Sequence, residues 1–249
     1  MDGILLLDKP VGWTSHDVVA MVRKTLRTAL SDKQLAVSQK QSANSQQLTA
    51  PSAKLKVGHT GTLDPMASGL LVLVLGSYTK RASEFSKLDK TYEAELTLGA
   101  VSTTGDSEGE IRPKSGREPT LADITRALSE LTGQIQQTPH IYSAVKVGGQ
   151  RSYKLARQGK AVKLEPRKVK VHSLAVTGYR YPKLQILTEV SSGTYIRSLA
   201  EDIGQKVGSG AYLTALRRTK IGNFDVNDSL FTEKINQKDI EKAIALTIV

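Results

Sequence analysis

Lys56-Val57-Gly58-His59-Thr60-Gly61-Thr62-Leu63-Asp64-Pro65-Met66-Ala67-Ser68-Gly69-Leu70-Leu71-Val72-Leu73-Val74-Leu75 is the stretch on which the reading of the chain turns. Its end, Leu70 to Leu75, is the longest apolar run in the sequence. A membrane span needs roughly 18 such residues, so this run predicts a strand buried on both faces. The start is a glycine-rich turn with a histidine, followed by an aspartate set directly before a proline. Asp before Pro is the signature of a helix N-cap, and on pattern alone that structural role outweighs a catalytic one.

Outward from this stretch the elements mix. Ile4 to Leu7 predicts a buried strand ended by Lys9-Pro10, and Val11-Gly12-Trp13 a turn. Thr14 and Asp17 are spaced as a capping box, and Val18, Val22, Leu26 and Leu30 recur every four residues, which predicts a helix over 15–30. From Ser31 to Lys54 the sequence turns to Ser, Gln, Ala and Asn, too polar to bury a core, and a flexible insertion is expected. Strand patterns follow at Tyr92 to Leu98, Val169 to Val176 and Leu184 to Val190. Leu121, Ile124, Leu128 and Leu131 mark one face of a helix over 120–132, and Ile196, Leu199, Ala200 and Ile203 one face of another near 195–207. There is no regular βαβ alternation, so the fold class is α+β with largely antiparallel pairing.

Composition narrows the function. The chain has 249 residues, 39% of them hydrophobic, and no cysteine, which excludes disulfide scaffolds, thiolate metal sites and cysteine nucleophiles. The amino terminus has no positive head before its short apolar stretch and does not read as a signal peptide, so a cytoplasmic location without membrane attachment is expected. No Walker motif, Gly-x-Gly-x-x-Gly after a strand or His-Glu-x-x-His is present, and His16, His59, His140 and His172 are not spaced as ligands, so no metal or nucleotide cofactor is expected. A net charge of +11 favours a polyanionic partner. Nine basic residues against one acid between Lys146 and Lys170, with Tyr142 and Tyr153 interleaved, point to RNA; the plainer reading is a solvated helix face and a lysine-blunted edge strand. Arg217, Arg218 and Lys220 form a second basic cluster. Arg197 by itself is readable as a surface ion pair with Glu201, one helical turn on.

The order of motifs resembles the TruB pseudouridine synthases, which modify the T-loop uridine at tRNA position 55. The matching stretches are Gly3 to Ser15, Gly58 to Pro65 with Gly76 and Thr79-Lys80, Lys90-Thr91-Tyr92, Thr104 to Gly109, Tyr142 to Lys146, Ala156 to Gly159, Gly193 to Arg197 and Leu216-Arg217-Arg218. The resemblance implies a pseudouridine synthase fold in one catalytic domain over 1–235. A basic RNA-binding thumb at 137–166 would be inserted in it, with a short tail at 236–249 and no C-terminal PUA module. It implies Asp64 as the catalytic nucleophile or base, paired with Arg197, and Tyr92 stacked on the uracil. Tyr195 and Leu216 would line the pocket, and His59 would hold the flipped nucleotide. Lys80, Lys146, Arg151, Lys154, Arg157, Lys160, Arg217 and Arg218 would contact tRNA. A monomer without cofactor is expected. Two other readings stay open: an RNA-binding or tRNA-folding protein without chemistry, and a guide-dependent synthase with partner proteins. A glycoside hydrolase is disfavoured because no second carboxylate motif accompanies Asp64.

Overall fold

Alternation and apolar runs become strands as the sequence predicts, and they assemble into two compact units, 1–86 with 223–249 and 87–222. The structure, a computed structural model, describes residues 1–40, 55–143, 145–160, 162–232 and 235–247. Among these, no helix is long and apolar enough to cross a membrane.

In the first unit, β1 (Gly3–Lys9) pairs antiparallel with the apolar run, β3 (Ser68–Leu75), along its whole length, Gly3 opposite Leu75 and Lys9 opposite Gly69. The short β2 (Val57–His59) lies antiparallel on β3, and β14 (Leu230–Phe231) parallel on β1. Leu5, Leu7, Leu71, Leu73 and Leu75 form a core with Val18, Val22 and Leu26 of helix α1 (Ser15–Lys40) and with Ile240 and Ile244 of α6 (Gln237–Thr247). Two expectations change here. Helix α1 runs to Lys40 where a loop was expected from Ser31, because Asp32-Lys33-Gln34-Leu35-Ala36 is polar yet made largely of good helix formers. The remainder of that insertion, 41–54, lies outside the described residues. The expected C-terminal tail is instead a helix, since Ile240 and Ile244, four apart, share one face and are buried.

In the second unit, β4 (Lys90–Leu98) lies between β11 (Lys183–Val190) and β12 (Ala211–Ile221). β11 pairs on with β10 (Arg167–Arg180), and β10 with β7 (Gly133–Gln137), every pair antiparallel. Alternation is clean: Leu184, Ile186, Thr188 and Val190 of β11 point in, the residues between them out. Helices α3 (Leu121–Glu130) and α5 (Ile196–Lys206) pack on this sheet. Ile124, Ala127, Leu128 and Leu131 carry the buried stripe of α3, whereas Leu121 is 54% exposed. In the first turn it stands about 60° round from Ile124, at the margin of the stripe.

Between β7 and β10, a hairpin of β8 (Lys146–Val147) and β9 (Gln150–Arg151) turns through Gly148 and Gly149, both with positive φ, and leads into α4 (Ser152–Arg157). This is the segment expected to be a thumb.

Candidate active site

The aspartate stretch is a turn rather than a helix start. After β2, Thr60 donates its N–H and its hydroxyl to the Val72 carbonyl, at 3.0 and 3.2 Å, and the chain reaches Asp64 without helical structure. The Asp64 carbonyl accepts the Ala67 N–H at 3.1 Å, closing a turn over Pro65-Met66, and Ser68 begins β3. The N-cap reading of Asp64 therefore falls: proline fixes φ equally well for the second position of a tight turn.

That turn is braced by the sequence's first motif. The Ser15 hydroxyl is buried, accepts the Leu63 N–H at 2.9 Å and donates to the Leu63 carbonyl at 3.1 Å. The Gly12 N–H donates to the Pro65 carbonyl at 2.8 Å. Lys9 is wholly buried, its ammonium bonded to the carbonyls of Pro10 and Trp13 at 2.8 Å each, which fixes the loop that carries Gly12 and Ser15. Thr14 and Asp17 form the predicted capping box at the start of α1. Asp64 is half-buried in this frame, and the rings of His16 and His59 meet edge to face at 5.3 Å.

In the second unit, Tyr92 lies buried on the central strand, opposite Thr188 on one side and Arg218 on the other. Tyr195 precedes α5. Its N–H donates to Gln137 Oε1 at 2.8 Å, and its carbonyl accepts from Gln137 Nε2 at 3.0 Å, so one side chain at the root of the thumb segment fixes the helix start. Arg197 follows in the first turn of α5 and is 8% exposed, which rules out a surface ion pair. Its Nη1 donates to the Thr104 carbonyl at 3.2 Å and to Asp106 Oδ2 at 3.3 Å, and its Nη2 to the Tyr142 carbonyl at 3.1 Å. Asp106 is buried as well and accepts from the Thr104 hydroxyl at 2.6 Å and from the Glu108 N–H at 3.1 Å. A guanidinium held by three acceptors in fork geometry keeps one orientation, which a lysine in its place would not. Leu216 is half-buried on β12, opposite Ala94.

Of the residues expected to meet RNA, Lys80, Lys146, Arg151, Lys154 and Lys160 are exposed and Arg217 is half-buried. The Arg157 side chain lies outside the described residues. Arg218 is 1% exposed and is therefore not presented to solvent, a correction to the expectation for it. It lies opposite Tyr92 of β4 in a strand whose register shifts twice, an arrangement its basic sequence conceals. Sequence reasoning did not single out Asp106, although Thr104-Gly105-Asp106 was one of the matching stretches, nor did it assign a role to His140. Among the described residues no group of three or more His, Asp or Glu is placed to hold a metal ion.

The family model described as TruB family pseudouridylate synthase (N terminal domain) matches residues 47–196, and that described as tRNA pseudouridylate synthase B C-terminal domain matches 197–245. The tRNA pseudouridine synthase B of Thermobifida fusca (strain YX) is 40% identical over 245 residues, covering 94% of this chain and 74% of its own length. That of Opitutus terrae is 38% identical over 248 residues, covering 98% and 92%. Among solved structures, a chain of a Cbf5-Nop10-Gar1 complex superposes with a TM-score of 0.64 at 28% identity, over 92% of this chain and 52% of that one. The chain thus spans about half the length of that solved chain. The α+β fold, with its mixed and mostly antiparallel sheet, is that of the pseudouridine synthases, and the chain belongs to the TruB pseudouridylate synthase family.

Proposed function

We propose that this chain isomerises uridine to pseudouridine in tRNA, at the T-loop uridine of position 55, on a nucleotide turned out of its stack. The observation that carries the reading is the family match over nearly the whole chain, with Asp64 at the head of a turn braced from two sides. In the reaction the N1–C1′ bond breaks, the uracil turns, the C5–C1′ bond forms and the C5 proton leaves while N1 gains one. Atoms and electrons balance within the nucleotide, so the chemistry calls for a carboxylate and an ordered pocket rather than a redox partner. Asp64 attacks the nucleotide or acts as base, Arg197 is its catalytic partner and Tyr92 stacks on the uracil. Tyr195, Leu216 and His59 contact the base and its neighbours. The exposed cations of the thumb segment bind the tRNA backbone.

The test is pseudouridine formation on an unmodified tRNA transcript, with the position read by carbodiimide primer extension, for the parent and Asp64→Asn. Product at position 55 in the parent alone, with tRNA binding kept in the variant, supports the reading. Loss of binding together with product would sink the assignment of Asp64. A guide-dependent synthase is the second reading, favoured by the likeness to a chain from a Cbf5-Nop10-Gar1 complex; it forms no product on bare tRNA.

A further inference from the structure

His140 stands beside the acceptors of Arg197 and none of the functional roles above uses it. Its Nδ1 accepts the Tyr142 N–H at 3.3 Å, which places the imidazole proton on Nε2, and its ring stacks on that of Tyr142 at 5.8 Å with 21° between planes. Nε2 faces Glu201 Oε1 at 3.7 Å. The packing is tight: a Cβ on Gly105, which has φ of +74°, would stand 3.2 Å from Glu201 Oε1 and 3.3 Å from His140 Cδ2. The Tyr142 carbonyl, two bonds from the amide that His140 holds, is the acceptor of Arg197 Nη2.

We infer that His140 is a positioning residue for Arg197, acting through the Tyr142 backbone, with Glu201 as its outer brace. The inference rests on the role given to Arg197 in the proposed function. It requires a neutral imidazole, because a proton on Nδ1 would turn two donors toward each other. Burial, then the Arg197 charge, holds His140 down at about 4 against the opposing pull of Asp106. Burial and the neighbouring Asp202, with a smaller contribution from Asp106, push Glu201 up to about 7 against the pull of Arg197. The groups facing the pair are thus Arg197 and Asp202 from α5 and Asp106 from the 103–110 turn. Of these, Arg197 favours the neutral His140, Asp106 opposes it with its charge taken up by Arg197, and Asp202 acts on Glu201.

Two measurements on the full chain test this. In imidazole nitrogen NMR, with His140 assigned by His140→Asn, the ring is the Nε2–H tautomer and does not titrate between pH 5 and 8; a midpoint near the ordinary 6.5 overturns the proposal. In kinetics, His140→Ala lowers kcat about tenfold with KM for tRNA within about twofold, the scale expected when one anchoring hydrogen bond is lost. His140→Asn, whose Oδ1 stands where Nδ1 stood, recovers kcat to within about threefold of the parent. A loss confined to KM, or no recovery by Asn in a folded variant, overturns the proposal. Should the parent form no pseudouridine, the proposed function fails, and the Arg197 guanidinium resonances decide instead. Hindered rotation in the parent, freed in His140→Ala and restored in His140→Asn, upholds the positioning role; equal rotation in all three refutes it.

Discussion

Arg197 and the cations of the thumb segment carry the same charge in opposite surroundings. Arg197 is shut inside with Asp106 at 3.3 Å and two backbone carbonyls, so its charge is neutralised locally and what remains is a fixed direction. Lys146, Lys154 and Lys160 stand in solvent, where side-chain entropy and screening prevent any fixed geometry and what remains is field. Buried charge specifies position; exposed charge sets attraction and its dependence on salt. The two kinds fail differently when changed, and the difference is measurable.

Arg197→Lys has the largest effect. The ammonium keeps the charge and loses the fork, so kcat for pseudouridine formation falls by about 10²–10³ while tRNA affinity stays within a few fold. Truncation to Ala adds a structural cost of about 3–5 kcal/mol by leaving Asp106 buried without its counter-charge, read as a lower urea midpoint. Equal activity in Arg197→Lys would show that charge alone suffices there and would erase the contrast. Replacing Lys146, Lys154 and Lys160 by Ala acts in the other way. Affinity at low salt falls roughly 10–10²-fold, and the slope of log K against log salt flattens by about 2–3. The kcat at saturating tRNA is unchanged. An unaltered slope would remove these lysines from the RNA contact.

The boundary between buried and exposed charge is also where the sequence was least readable. Strands with apolar runs or clean alternation, β1, β3, β4 and β11, are legible because their burial is written in side-chain type. β12 is not: Thr214, Arg217, Arg218, Thr219 and Lys220 look like a solvated basic cluster, yet Arg218 is inside. Close approach leaves no periodic trace either. A Cβ on Gly204 of α5 would lie 2.2 Å from the Ala211 nitrogen, so that helix meets β12 only because a side chain is missing. At Asp64 the motif was legible and its geometry was not, because Asp-Pro starts a helix or a turn equally well. The outcome depends on Ser68 joining β3 and on Ser15 and Gly12, some fifty residues away, holding the loop. The 137–166 segment was readable as basic, but its tie to α5 through Gln137 and Tyr195 is a contact across 58 positions that no local pattern encodes.

His140 and Glu201 sharpen the comparison through pH. Folding lowers the affinity of His140 for protons, from 6.5 to about 4, so its contribution to stability grows as pH rises across that window. Folding raises that of Glu201, from 4.5 to about 7, so its contribution is lost as pH rises across that range. In the parent the two slopes oppose one another between roughly pH 4.5 and 6.5. In Glu201→Gln the opposing carboxyl slope is removed and the urea midpoint climbs more steeply with pH than in the parent; in His140→Asn the histidine slope is removed and the midpoint shifts toward decline, a direction to which Asp202, also raised by burial, adds. Each slope is bounded by one proton, about 1.4 kcal/mol per pH unit, and reduced by partial solvent access. A slope in Glu201→Gln no more positive than that in His140→Asn would break the assignment of the pair.

The smallest effect belongs to an ion pair that looks better in isolation than the one holding Arg197. Arg112 meets Glu110 through two parallel hydrogen bonds, Nε to Oε1 at 3.0 Å and Nη2 to Oε2 at 2.9 Å, shorter than the 3.3 Å between Arg197 and Asp106. Both partners are about two-thirds exposed, and water competes for every one of those bonds. Arg112→Ala is therefore expected to leave Tm within about 1 °C of the parent and kcat unchanged. A large loss of stability in that variant would mean that pair geometry outweighs burial in this protein, and that enclosure is not what sets Arg197 apart from the surface cations.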